Sequence, residues 1–181
     1  MAIHISMLRG INVGGHRKVD MKELKALYED MGFKKVSTYI QSGNVIFQTD
    51  KKSSAQQVAE KIEQGIFKKY QFEVSVIIRT MEGLEKSILN NPFIGKRGID
   101  IQKLHLTFLD KEPSQADWDQ IKGLDRAGDQ FILVGKEIYL YCPGGYGITK
   151  LTNGFFENKL KVKATTRNWN TVNQLLQLAK T

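Results

Sequence analysis

Arg9, Asn12, Gly14, Gly15 and His16 stand together in Leu8-Arg9-Gly10-Ile11-Asn12-Val13-Gly14-Gly15-His16, directly after a short apolar run. A guanidinium, an amide, an imidazole and paired glycines exceed what an ordinary strand-to-helix connection needs. Gly14-Gly15 can present consecutive backbone amides, and a helix starting near Asp20 adds the positive end of its dipole; both favour a phosphate or carboxylate. Arg9 offers two-pronged donor geometry to the same group. The spacing matches neither a GxGxxG fingerprint nor the Gly-Lys-Ser/Thr ending of a Walker loop, and Asp20 at the cap competes with an anion. Glycines that serve only a tight turn are the competing explanation. His16 is the candidate general base of the stretch, with no acid clearly paired to it.

A second dense cluster is Thr165-Thr166-Arg167-Asn168-Trp169-Asn170-Thr171, at the start of another helical pattern. Thr165 or Thr166 reads as its cap and Trp169 as a core anchor; Arg167 and Asn168 are the candidate ligand contacts. Pro143-Gly144-Gly145-Tyr146-Gly147-Ile148-Thr149-Lys150 fails the Walker spacing, since Thr149 stands where the last glycine belongs, and reads as a flexible turn. Cys142 reads as a buried small side chain, and His4 and His105 as structural residues within strands.

The elements that must position these residues follow from periodicity. Ile3 to Leu8 is a strand, Asp20 with Glu23 opens a helix by a capping box, and Met21, Leu24, Leu27, Tyr28 and Met31 follow at helical spacing up to Gly32. Val36 to Ile40 and Val45 to Gln48 are strands joined by Gln41-Ser42-Gly43-Asn44, whose Gly and Asn suit positive φ. Ser54 with Gln57 caps a helix bearing Val58, Ile62 and Ile66, and Phe72 to Ile78 is the next strand. A helix over Met81 to Leu89 and the loop Asn90 to Asp100 lead to a second set. It comprises a strand at Leu104 to Leu109, a helix from Pro113-Ser114, a hairpin of Gln130 to Val134 with Glu137 to Tyr141, and a helix over Thr149 to Leu160. A last amphipathic helix carries Trp169, Val172, Leu175, Leu176 and Ala179.

This order predicts an α+β fold of duplicated ferredoxin-like βαββαβ halves, with antiparallel sheets, helices packed on one face and a C-terminal helix. The expected division of a single compact unit, 1–181, is 1–80, 81–166 and 167–181. No identity is evident between the halves, so the duplication rests on element order. The crossover rule brings the loop after the first strand and the hairpin between the second and third to one end of the sheet. Arg9, Asn12, Gly14, Gly15, His16, Gln41, Ser42 and Asn44 are therefore expected to converge.

The balance of 27 basic to 19 acidic residues gives a net charge of +8, which attracts phosphates, nucleic acid or acidic metabolites. Many cations, including Lys34-Lys35, Lys51-Lys52, Lys68-Lys69 and Lys159 to Lys163, are spread as a solvated surface. No apolar run approaches the roughly 18 residues of a membrane span and no leader pattern precedes the first strand, so a cytoplasmic protein without membrane contact is expected. One cysteine and three histidines are too few for a usual structural zinc site, and no metal or cofactor is expected. An RNA-recognition module is disfavoured, because His4-Ile5-Ser6-Met7 and Asn44-Val45-Ile46-Phe47 lack its aromatic pattern.

Leu8 to Gly15, Thr38-Tyr39-Ile40-Gln41-Ser42-Gly43-Asn44-Val45 and Ala164 to Val172 closely resemble three signature stretches of a mainly bacterial family, domain of unknown function 1697. Asn91-Pro92-Phe93 and Leu104 to Leu109 fit the weaker middle of its pattern. The resemblance implies an α+β unit related to a duplicated ferredoxin-like fold, and no particular activity.

The expected function is binding of an anionic, phosphate-bearing ligand, a nucleotide or nucleic-acid backbone, between Arg9–His16 and Gln41–Asn44, with Arg167 and Asn168 closing the site. The alternatives are an enzyme acting on a small phosphorylated or acidic metabolite with His16 as base, and a non-catalytic protein-interaction module.

Overall fold

Side-chain oxygens start the first helices. In the computed structural model, which describes residues 1–50, 52–124 and 126–181, the Asp20 carboxylate accepts the Lys22 and Glu23 amides at 2.8 and 3.0 Å. Ser54 and Gln57 form a reciprocal capping box. Lys51, of the Lys51-Lys52 pair, lies outside the described residues.

These caps begin α1 (Met21–Asp30) and α2 (Ala55–Tyr70), which alternate with β1 (Ala2–Leu8), β2 (Lys34–Tyr39), β3 (Asn44–Thr49) and β4 (Val76–Thr80). The sheet order is β2-β3-β1-β4, with every neighbour antiparallel. Val58, Ile62 and Ile66 on α2 and Leu24 and Tyr28 on α1 share one core with Leu8, Val45, Phe47, Val76 and Ile78 of the strands. Ser6 shares that core-facing side, and its hydroxyl lies 2.9 Å from the fully buried Tyr28 hydroxyl. The fourth strand starts at Val76, whose amide donates to Glu63, rather than at Phe72.

A helix α3 (Met81–Leu89) leads to β5 (Leu104–Leu109), α4 (Gln115–Asp119), β6 (Gln130–Val134), β7 (Glu137–Tyr141), α5 (Asn153–Leu160), β8 (Ala164–Asn168) and the final α6 (Trp169–Lys180). The second sheet has the order β6-β7-β5-β8 and is again antiparallel throughout. Leu109, Ile138, Leu140, Phe156, Leu160 and Ala164 form its core. The chain divides into one unit of 1–85 with 175–181, and a second of 86–174.

Thr165 and Thr166 do not cap the last helix. Both lie in β8, where β-branched residues are well tolerated, and the cap is Asn168, whose Oδ1 accepts the Thr171 amide at 2.8 Å. The Thr166 hydroxyl lies 2.7 Å from that of Thr107 on β5 and meets Asn153 on α5, a distribution that only strand alternation allows. Helix α5 begins after a Thr152 cap, not at Thr149.

Strand register makes the duplication visible in individual residues. His4 pairs with Thr80 and Leu8 with Val76, just as His105 pairs with Asn168 and Leu109 with Ala164. By the same registers Ser6 corresponds to Thr107, and Arg79 to Arg167. Each arginine donates from Nη1 to the preceding residue's carbonyl at 3.0 Å, and the residue after each one caps the following helix.

Burial lowers the pKa of both His4 and His105, and their buried Nδ1 atoms lack a well-formed hydrogen bond among the described residues. The native state then binds fewer protons than the unfolded chain below the ordinary value of 6.5. Stability is complete above that pH and is lost as pH falls through the lowered native values. Urea midpoints are expected to fall between about pH 6.5 and 5, above the range where ordinary carboxylates titrate. His4→Gln should flatten that slope; an unchanged slope in His4→Gln and His105→Gln would refute the assignment.

Candidate functional site

The loop after β1 is anchored before it projects. The Leu8 amide donates to the Gly43 carbonyl and the Arg9 amide to that of Ser75, each at 2.9 Å, and Ile11 turns inward, 2 % exposed. Asn12 adopts a left-handed φ of +54°, and its backbone amide reaches the Arg17 carbonyl at 3.1 Å. Its side chain donates to the Val19 and Gln41 carbonyls at 3.0 and 2.9 Å and accepts the Val19 amide at 2.8 Å. One amide thus ties both ends of the loop to the β2–β3 turn.

Beyond Asn12 the chain forms a small hairpin. Val13 bridges His16, whose amide donates to the Val13 carbonyl at 3.0 Å, and Gly14 and Gly15 turn between them with φ of +57° and +77°. Two consecutive left-handed residues make the tip of a tight hairpin. An anion nest needs right- and left-handed residues in alternation, so these glycines act as a turn. Val13, His16, Arg17 and Lys18 are exposed. Asp20 occupies the first amides of α1, leaving that helix end a poor anion site. His16 has no carboxylate in ion-pairing range among the described residues, so nothing orients it as a base.

The turn Gln41–Asn44 lies against this loop, as the crossover rule requires. Gly43 within it and Ile40 just before it are left-handed, with φ of +79° and +49°; Asn44 is already the first residue of β3. The buried Asn44 amide donates to the Tyr39 carbonyl at 3.1 Å and to the Ser42 hydroxyl at 2.9 Å, shaping the turn from inside. Gln41 is exposed and contributes its carbonyl to Asn12. Of the residues expected in the first part of the site, Asn12, Ser42 and Asn44 therefore brace it, while His16 is presented outward.

Arg167 and Asn168 lie in the second unit, at the end of β8. Arg167 is 8 % exposed and donates from Nη1 to the Thr165 hydroxyl at 2.8 Å; burial pushes its pKa down to about 10, leaving it charged at neutral pH. Asn168 is exposed beside a cavity of about 810 Å³ within this unit, whose walls include Lys103, His105, Tyr146 and Asn170. None of these four is among the expected ligand contacts, although Asn168, which is, also lines the cavity; Tyr146 in the Pro143–Lys150 stretch and Asn170 in the Thr165–Thr171 cluster are the sequence signals that point there. Cys142 is buried and its thiol is pushed up to about 11 by burial, which keeps it protonated and inert.

Among the described residues, no group of three or more His, Cys, Asp or Glu side chains is placed to hold a metal ion, and no helix is long and apolar enough to cross a membrane. The family model described as "Protein of unknown function (DUF1697)" matches residues 1–139, which include both the hairpin loop and the β2–β3 turn. The solved structure of conserved bacterial protein SP0830 from Streptococcus pneumoniae is 26% identical, covers 98% of each chain and superposes with a TM-score of 0.76. None of the curated proteins matches the chain.

Proposed function

The chain belongs to the family of proteins of unknown function DUF1697, and from its own residues we propose that it binds an anionic, phosphate-bearing ligand, best suited to the backbone of a nucleic acid, at the hairpin after β1. One observation carries this reading. Arg17 and Lys18 are exposed on or beside a hairpin braced by Asn12, and the stretch from Arg9 to Val19 contains no acidic residue.

A braced hairpin presents its cations without the ordering cost that a loose basic loop would incur on binding. The first acid along the chain, Asp20, has its carboxylate engaged by the Lys22 and Glu23 amides. Projecting cations on an open surface suit an extended polyanion better than a small enclosed one. With the Asn12 and Asn44 amides engaged within the protein at this end of the sheet, backbone phosphates, rather than base edges, are the groups to be met.

Fluorescence anisotropy with short labelled single- and double-stranded oligonucleotides over a salt series tests this. Each phosphate neutralised on a duplex contributes about 0.9 to the slope of log K against log salt, so Arg17→Ala/Lys18→Ala should flatten the slope by about 2 and weaken binding at least about tenfold at low salt. Unchanged affinity and slope in that variant would sink the proposal.

A further inference from the structure

We propose that the second unit holds a separate small-molecule pocket, the cavity beside Asn168, and that it takes a nucleoside monophosphate. The cavity, about 810 Å³, falls in the range of about 300–1,000 Å³ typical of small-ligand sites. Its walls come from the turn Ile101–Lys103 and the adjoining start of β5, Gly145 and Tyr146, the end of β8 and the first turns of α6, all within residues 86–174.

The wall chemistry selects the ligand. Asn170 and Gln102 each present a primary amide that makes no hydrogen bond among the described residues. A primary amide both donates and accepts, which is the complement of a nucleobase edge, where donors and acceptors stand side by side. Asn173 differs, since its amide donates to the Trp169 carbonyl at 2.7 Å and supports the wall from within. Rings of His105 and Tyr146 are stacked, 4.7 Å apart and 23° from parallel, giving the pocket a flat aromatic side against which a planar heterocycle packs.

Charge supplies the other half. Lys103 is a cation of the lining and makes no ion pair among the described residues, and no acidic residue is in the lining. A cationic ligand would find no counter-charge there, and a neutral heterocycle would leave Lys103 unused. A ring joined to a single anionic group satisfies both the amides and the ammonium. Burial keeps His105 neutral near pH 7, so it offers a hydrogen-bonding ring rather than a second charge.

Trp169 lines the cavity and is one of two tryptophans, so Trp118→Phe leaves it as the reporter in the full chain. AMP, GMP, CMP and UMP, the matching nucleosides and inorganic phosphate are titrated while Trp169 emission is followed. At least one monophosphate should give a saturable change, its nucleoside should bind at least tenfold more weakly, and phosphate alone should give none. Lys103→Ala should reduce the monophosphate to the affinity of its nucleoside, and Asn170→Leu should weaken nucleoside and monophosphate alike, with unchanged far-ultraviolet circular dichroism in both. Amide chemical shifts of Asn170 and His105 report the same binding if Trp118→Phe perturbs the fold. No saturable change with any monophosphate up to millimolar concentration overturns the proposal. So does binding that ignores both variants, or phosphate binding as tight as that of the nucleotides.

Discussion

Gly43→Ala is expected to lower the unfolding free energy by about 2–4 kcal/mol, combining roughly 1 kcal/mol for a left-handed non-glycine residue with about 1–3 kcal/mol of overpacking. Gly43 has φ of +79°, and a Cβ there would lie 2.8 Å from both the Leu8 Cβ and the Ile11 Cδ1. Ile11 can move its terminal methyl. Leu8 cannot withdraw its Cβ, because that atom is fixed to β1 and the Leu8 amide is bonded to the Gly43 carbonyl at 2.9 Å. At about 2–4 °C per kcal/mol for a chain of this size, the melting temperature should drop by about 5–15 °C. Gly15→Ala is the matched comparison: its φ of +77° is similar, but nothing lies within 4 Å of the added carbon. It should cost only about 1 kcal/mol. Equal losses in the two variants would show that the contact with Leu8 does not matter.

Asn12→Asp keeps the shape of the side chain and removes both of its donors, and should cost about 2–3 kcal/mol. The acceptor role toward the Val19 amide survives, whereas a carboxylate oxygen then faces the Val19 and Gln41 carbonyls that the amide had joined. The loss is local as well as global. Released from its brace, the hairpin should exchange its His16 amide hydrogen faster, and trypsin should cut after Arg17 or Lys18 sooner than in the wild type. Below about pH 4 the new carboxyl is protonated and regains one donor, so the difference from wild type should shrink there. Wild-type melting together with wild-type proteolysis would remove Asn12 from its bracing role.

Much of the architecture was legible because it is local. The Ser54–Gln57 capping box, the Val58, Ile62 and Ile66 stripe, the Ser114 start of α4 and the Gln130–Tyr141 hairpin each depend on residues a few positions apart, and all appear in the structure. The meeting of the Arg9–His16 loop with the Gln41–Asn44 turn was also legible, since chirality and element order alone place both at one end of a βαββ sheet. Roles within that meeting were not. Asn12 looks like a ligand contact by type, and only its bond to Gln41, 29 residues away, makes it a brace.

Sequence by itself determined the element order up to the end of α5, the family and the surplus of positive charge, and the repeat of that order pointed to two ferredoxin-like halves. Tertiary structure alone decided that Ala164–Asn168 is the eighth strand, because Thr166 gains its partner from Thr107, 59 residues away. It likewise decided that His4 and His105, and Arg79 and Arg167, are counterparts, since register is a relation between strands and not a property of either one. The cavity beside Asn168 belongs to the same class. Lys103, Tyr146 and Asn170 are distant along the chain, and a cavity exists only where packing leaves one.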